Sequence, residues 1–252
     1  MLLSTTLISA LLVSVVSAAP QRRAPAQVIT SCTVPKTAAL TFDDGPWVYA
    51  YDVSKILVAA GAKGTFFLNG NNYECIYSDA NIKRVKTLHE KGHQLASHTW
   101  SHKHLPELNW DQLHSEMWRV EEALIRIVGV QPAFVRPPFG EYNDLVREVA
   151  GLRGQKIAIW DLDTGDTVGF TPAQSKALFD QAIAKKPSTI HSLAHETMYS
   201  SVADVLPYAI QKLQAAGYKL VTLAECLGEQ PYQWKQPAGV KDTTWNCDEV
   251  PT

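Results

Sequence analysis

From about residue 37 the chain alternates between short apolar runs and longer segments whose apolar residues recur every three or four positions. The runs AALTF (38–42), GTFFL (64–68), HQLAS (93–97), AFVR (133–136), KIAIW (156–160), TIHSLAH (189–195) and KLVTL (219–223) read as strands. Helical segments lie between most of them. Leu113, Met117, Val120, Leu124 and Ile127 share one helical face, and Asn109 with Gln112 supplies a capping box ahead of it. Thr171-Pro172 opens another helix, with Thr as N-cap and Pro at the first position. Strand–helix alternation predicts a parallel sheet wrapped by helices. About seven such units in one domain predict an α/β fold, an irregular (β/α) barrel.

The 252 residues, 46% of them hydrophobic, suffice for a full core. A net charge of −2 provides no basic footprint for nucleic acid and no polybasic membrane patch. The apolar run Leu7 to Val16, followed by the small residues Ser17 and Ala18, reads as a signal peptide over 1–18. The competing reading, a membrane anchor, needs a longer run. The expected location is therefore secreted, extracellular or cell wall, with no membrane anchor. Arg22-Arg23 is either a dibasic processing site or a charged pair in a flexible segment, 19–31. Cys32, Cys75, Cys226 and Cys247 in a secreted chain predict two disulfides, with three pairings open. No C-x-x-C spacing suggests a cysteine zinc site, and no N-x-[ST] sequon occurs.

In a parallel barrel the active site forms at the C-terminal ends of the strands. The unusual polar residues recur there. Asp43-Asp44 follow the first run, His98 and His102 the third, and Arg136 ends the fourth. The stretch DLDTGD (161–166) follows the fifth, and His195 ends the sixth. His98 and His102, at i and i+4, share a face if the segment turns helically, and two imidazoles with one carboxylate leave an open position on a catalytic metal. Successive strand residues point to opposite faces. Asp43 and Asp44 reach one pocket if the strand ends at Gly45-Pro46, one binding metal and the other taking a proton. The plain alternative is a solvated turn.

These stretches, in this order, resemble the five motifs of the polysaccharide deacetylases, family 4 of the carbohydrate esterases, also called the NodB homology domain. TFDDGP, HTWSH, RPPFG, DTGDT and LAH carry the likeness, which runs over roughly residues 32–226 and extends to the secreted fungal chitin deacetylases. The resemblance implies a domain over 32–228 with a C-terminal extension, 229–252, packed on it. It implies metal-dependent N-deacetylation of N-acetylglucosamine units in chitin or chitooligosaccharides, by a monomer. Asp43 becomes the general base and Arg136 its positioner. His195 becomes the general acid, oriented by Asp166. Asp44, His98 and His102 become ligands of one divalent metal, zinc before cobalt. The Phe139 N–H helps hold the oxyanion, and Leu193 lines the acetyl pocket. The likeness also pairs Cys32 with Cys226, leaving Cys75 with Cys247.

Two departures stand out. Phe139 replaces a usual Tyr, and Thr167 replaces a Trp that forms a wall of the substrate groove. Thr167 keeps open an O-deacetylase acting on acetylated xylan. An inactive sugar-binding relic is the reading from another class. His191, four before His195, is expected as a buried structural histidine, and His104 is the rival to His102 as a ligand. Trp47 and Tyr49 are read either as sugar-stacking or as core residues. No role is assigned to Asp161 or Asp163.

Overall fold

The run at 38–42 lies at the centre of the sheet. A computed structural model describes residues 24–248. The segment read as a signal peptide and Arg22-Arg23 fall outside the described residues. In chain order the strands are β1 (Val28–Ile29), β2 (Thr37–Gly45), β3 (Thr65–Leu68), β4 (Gln94–Ser97), β5 (Val130–Pro132), β6 (Phe134–Val135), β7 (Lys156–Ala158), β8 (Leu162–Asp163), β9 (Thr189–His195), β10 (Lys219–Val221) and β11 (Tyr232–Lys235). The helices are α1 (Ala50–Ala59), α2 (Asp79–Glu90), α3 (Trp110–Val128), α4 (Asp144–Leu152), α5 (Pro172–Ala184), α6 (Leu206–Ala215) and α7 (Leu223–Leu227).

The strands of the main sheet run parallel in the order β1-β7-β6-β4-β3-β2-β9-β8, and β10 pairs with the start of β2. The sheet curls into a half-barrel ringed by helices. Its two ends, β1 and β8, are bridged by the short connection between β7 and β8, which bonds to both sides: the Ile159 N–H donates to Ile29 O and the Asp161 N–H to His191 O. All seven predicted runs are strands. The sequence reading misses β8, which has two residues and no apolar run. It also misses β5 and β11, which form a separate antiparallel pair.

Strand alternation sorts the side chains into two layers. Leu40, Phe42, Phe66, Leu68, Leu95 and Ile190 pack outward, against the helices. Ala39, Phe67, Ala96, Phe134 and Ala158 form a separate inner cluster, closed at one end by Leu223 and Ala224 of α7. Small inner residues leave room above them for polar groups. On β2 the same inward phase continues through Thr41 to Asp43.

The predicted helix starts are present. Asn109 and Gln112 form the capping box of α3, and Thr171 and Gln174 that of α5. Leu113, Met117, Val120, Leu124 and Ile127 are all buried. Cys32–Cys226 and Cys75–Cys247 are both bonded.

Within the segment read as flexible, Val28 pairs with Ile157 and Ile29 with Ala158 as β1, and the Ala26 N–H donates to Arg147 O on α4. The stretch is short and carries little periodicity, so only its tertiary partners define it as a strand. At the other end, β11 and the Cys75–Cys247 bridge hold the segment after residue 228 against the domain.

Candidate active site

Arg136 organises the inner polar layer. It follows β6 and is fully buried. Each of its five N–H groups meets an acceptor. Nε donates to Ala158 O at 3.1 Å, and the two N–H of one terminal nitrogen reach Thr41 Oγ1 at 2.7 Å and Asp43 Oδ1 at 2.8 Å. The other terminal nitrogen donates to Ile159 O at 3.1 Å and His191 Nε2 at 2.8 Å. A guanidinium has donors only, so His191 Nε2 accepts and the ring is neutral. Burial, with Arg136 beside it, holds His191 well below the ordinary histidine range. His191 is thus the buried structural histidine expected from sequence. The Phe67 ring packs 4.0 Å from the guanidinium carbon.

Asp43 therefore has one oxygen bound to Arg136. Its other oxygen, Oδ2, lies 3.7 Å from His98 Nε2. Asp44 reaches the same pocket where β2 ends, at Gly45 as the sequence reading required, but through a bulge that reading did not include. The register of β2 against β3 shifts between Phe42 and Gly45, and Asp44 has φ 69°. This left-handed bulge breaks the alternation and turns a second consecutive carboxylate inward. Asp44 Oδ1 is buried, has no hydrogen-bond partner, and lies 3.5 Å from His98 Nε2 and 3.3 Å from His102 Nε2.

The two histidines also meet by other means than a helical turn. Residues 98–104 form a loop, with Thr99 at φ 67° and His102 at φ 55°. The Asn69 amide anchors that loop by donating to His98 O and Thr99 O. The two imidazole rings end 5.0 Å apart. His98 Nδ1 lies 2.8 Å from Arg136 O, which only accepts, so the proton is on Nδ1 and Nε2 presents a lone pair. Burial lowers the basicity of both His98 and His102, keeping them neutral as ligands require. His104 points elsewhere, pairing with Glu141 at 2.8 Å on the surface.

Asp44, His98 and His102 thus present ligand atoms all within 4.8 Å of one another. Donors about 2.0–2.2 Å from a tetrahedral zinc lie roughly 3.3–3.5 Å apart. The carboxylate–imidazole separations match this, and an orphaned buried oxygen 3.5 Å and 3.3 Å from two imidazole Nε2 atoms suits a cation. The residues present therefore fit a divalent metal.

His195 ends β9, in register with Asp43 on β2. Its Nδ1–H donates to Asp166 Oδ1 at 2.7 Å. Asp166 Oδ2 accepts the His195 N–H at 2.8 Å and the Ser201 hydroxyl at 2.6 Å. Burial disfavours the imidazolium, but the Asp166 hydrogen bond and charge, with Asp43 and Asp44 beyond, outweigh it and raise His195 to about 9. The same contacts outweigh burial at Asp166 and hold its carboxyl below the ordinary range.

These groups open into a cleft of about 420 Å³ that Phe139, Thr167 and Leu193 also line. Tyr73, Trp160, Asp163 and Val168 line it too; sequence reasoning gave them no site role. Phe139, at φ 59°, stacks on His104 and meets His102 edge-on. Of the ambiguous aromatics, Trp47 packs against Tyr73 and Tyr49 against Tyr199. Trp100 is buried.

A sequence model of the polysaccharide deacetylases matches residues 30–158, just over half of the 252. The chain belongs to the polysaccharide deacetylase family. It is a deacetylase-type hydrolase. A chitin deacetylase of Pestalotiopsis is 34% identical over 92% of this chain and 79% of its own length. A chitin deacetylase of Colletotrichum lindemuthianum is 31% identical over 82% of this chain and 85% of its own. The solved structure of the chitin deacetylase from that fungus superposes with a TM-score of 0.79, covering 84% of this polysaccharide deacetylase and 96% of that chain. A family 4 carbohydrate esterase from Streptomyces lividans, in complex with acetate, gives a TM-score of 0.65 at 28% identity, covering 75% of this chain and 92% of that one.

Proposed function

We propose that this polysaccharide deacetylase is a secreted, metal-dependent N-deacetylase of chitin or chitooligosaccharides, releasing acetate and leaving free amines on the sugar. The observation that carries the reading is the convergence of Asp44 Oδ1, His98 Nε2 and His102 Nε2 beside two oriented pairs, Asp43–Arg136 and His195–Asp166, in one cleft.

Asp44, His98 and His102 would hold a divalent cation, zinc first, which would supply a Lewis acid for the amide carbonyl and lower the pKa of water toward about 7. Asp43 accepts the proton of the attacking water at Oδ2, because Arg136 occupies Oδ1. Arg136 fixes the orientation of that carboxylate through its hydrogen bond to Oδ1. The Phe139 N–H, at the lip of the cleft, is the assigned donor to the developing oxyanion. His195 carries its transferable proton on Nε2, since Nδ1–H is engaged by Asp166. It gives that proton to the leaving nitrogen as the C–N bond breaks. Leu193 lines the space for the acetyl methyl. Two disulfides, and no helix among the described residues long and apolar enough to cross a membrane, support the secreted reading.

A second reading rests on Thr167. A small polar residue in the cleft wall suits an O-acetyl ester on xylan with the same machinery. Acetate release from chitooligosaccharides and from acetylated xylan, compared with wild-type and Asp43→Asn protein, tests both. Expected is release from the chitooligosaccharides, reduced at least about 100-fold in Asp43→Asn. Release from xylan alone would replace the substrate. Sugar binding without release from either would make the site a relic.

A further inference from the structure

Glu196, next to His195, has no part in the chemistry above, yet its side chain is fully buried. Its Oε1 accepts the Trp47 N–H at 2.7 Å. It also fills the space a side chain at position 45 would need: a Cβ on Gly45 would lie 2.1 Å from Glu196 Oε1 and 2.5 Å from Cδ. The carboxyl is therefore wedged against the backbone on both sides of Pro46, directly after the Asp43-Asp44 pair. From the other side, the Asn69 N–H donates to Gly45 O at 2.8 Å. Asp44 between these anchors has φ 69°, a conformation uncommon for a residue with a side chain, which persists only when its surroundings impose it. Glu196 Oε2 has no partner. One oxygen thus bonds the turn, and the rest of the carboxyl acts by shape.

We propose that Glu196 is a positioning residue for the metal site: its carboxyl braces the Gly45–Trp47 turn and so holds Asp44 in the left-handed conformation that aims Oδ1 at His98 and His102. This inference rests on Asp44, His98 and His102 being the metal ligands. Burial raises the Glu196 carboxyl to about 8, which makes glutamine a close match in shape, charge and acceptor.

The test is Zn²⁺ affinity, measured by competition with a chromophoric chelator, for wild type, Glu196→Gln, Glu196→Leu and Gly45→Ala. Glutamine keeps the Oε1 acceptor; leucine keeps bulk and loses the acceptor; alanine at 45 displaces the carboxyl from the other side. Expected is affinity within about 2-fold of wild type for Glu196→Gln and at least about 10-fold weaker for the other two, a loss typical of groups that orient metal ligands. A role confined to general stability would lower the melting temperature of the apoprotein and leave Zn²⁺ affinity of the folded protein unchanged. That result in Glu196→Leu or Gly45→Ala overturns the proposal. If neither folds, Glu196→Gln decides: affinity retained supports the brace, and a 10-fold loss overturns it. Wild type that binds no Zn²⁺ would instead defeat the ligand assignment itself.

Discussion

Two adjacent aspartates repel unless each has a separate counter-group. Here Asp43 has Arg136, and Asp44 Oδ1, with no hydrogen-bond partner, lies against His98 and His102, where a bound cation would be its counter-charge. The Asp43–Arg136 pair is buried, so removing one partner strands the other. Arg136→Met is expected to lower stability by about 3–5 kcal/mol in urea unfolding. A loss below about 1 kcal/mol would mean that the layer relaxes around the gap. His195 yields a pH prediction. Its folded pKa, about 9, lies above the ordinary 6.5. The imidazolium therefore stabilises the fold fully below about pH 6.5, and that contribution is lost as pH rises through about 9. A bound cation would offset the pull of Asp43 and Asp44 and lower the upper limit. Activity should fall on the alkaline side as the acid loses its proton. Asp166→Asn, without the charge that raises His195, should move that fall to lower pH in a pH–rate profile. An unmoved alkaline limb would remove His195 as the acid.

At the scale of elements, the strands and caps were legible because local chemistry specified them. Periodicity located the seven main runs, and Asn109 and Thr171 marked helix starts through their own side chains. Asn109→Ala removes the capping box of α3, far from the cleft. It should cost about 1 kcal/mol in urea unfolding and leave acetate release unchanged. The misreadings have a common cause. Asp44, Thr99 and His102 adopt left-handed backbone, which remains uncommon for any residue but glycine and which tertiary contacts impose here. The sequence therefore named the ligand residues and the strand end at Gly45, but it suggested a helical turn for His98 and His102 and gave no sign of the bulge at Asp44. β1, β5, β8 and β11 carry no run of three consecutive apolar residues, and only their pairing partners define them. Glu196 escaped notice because a glutamate after a strand reads as solvent-facing. The one hint was Gly45, whose missing side chain makes its space.

Across the whole molecule, two covalent ties fix distant segments. Cys32–Cys226 joins the start of the barrel to α7, and Cys75–Cys247 joins the far C-terminal segment to the loop carrying Tyr73. Replacing Cys75 and Cys247 together by Ser should cost about 2–4 kcal/mol. Because Cys75 is two residues from a cleft-lining side chain, the change should also raise KM for long substrates more than it lowers kcat. Unchanged KM would detach that loop from substrate binding. The half-barrel brings residues from five separated stretches to one end, which is why strand-end polarity was a stronger guide than any single motif. The most direct test of the central claim is acetate release from chitooligosaccharides by protein stripped with a chelator, then resupplied with Zn²⁺. Release is expected to vanish on stripping and to return with Zn²⁺ in wild type but not in Asp44→Ala. Undiminished release from protein verified to be metal-free would contradict the claim.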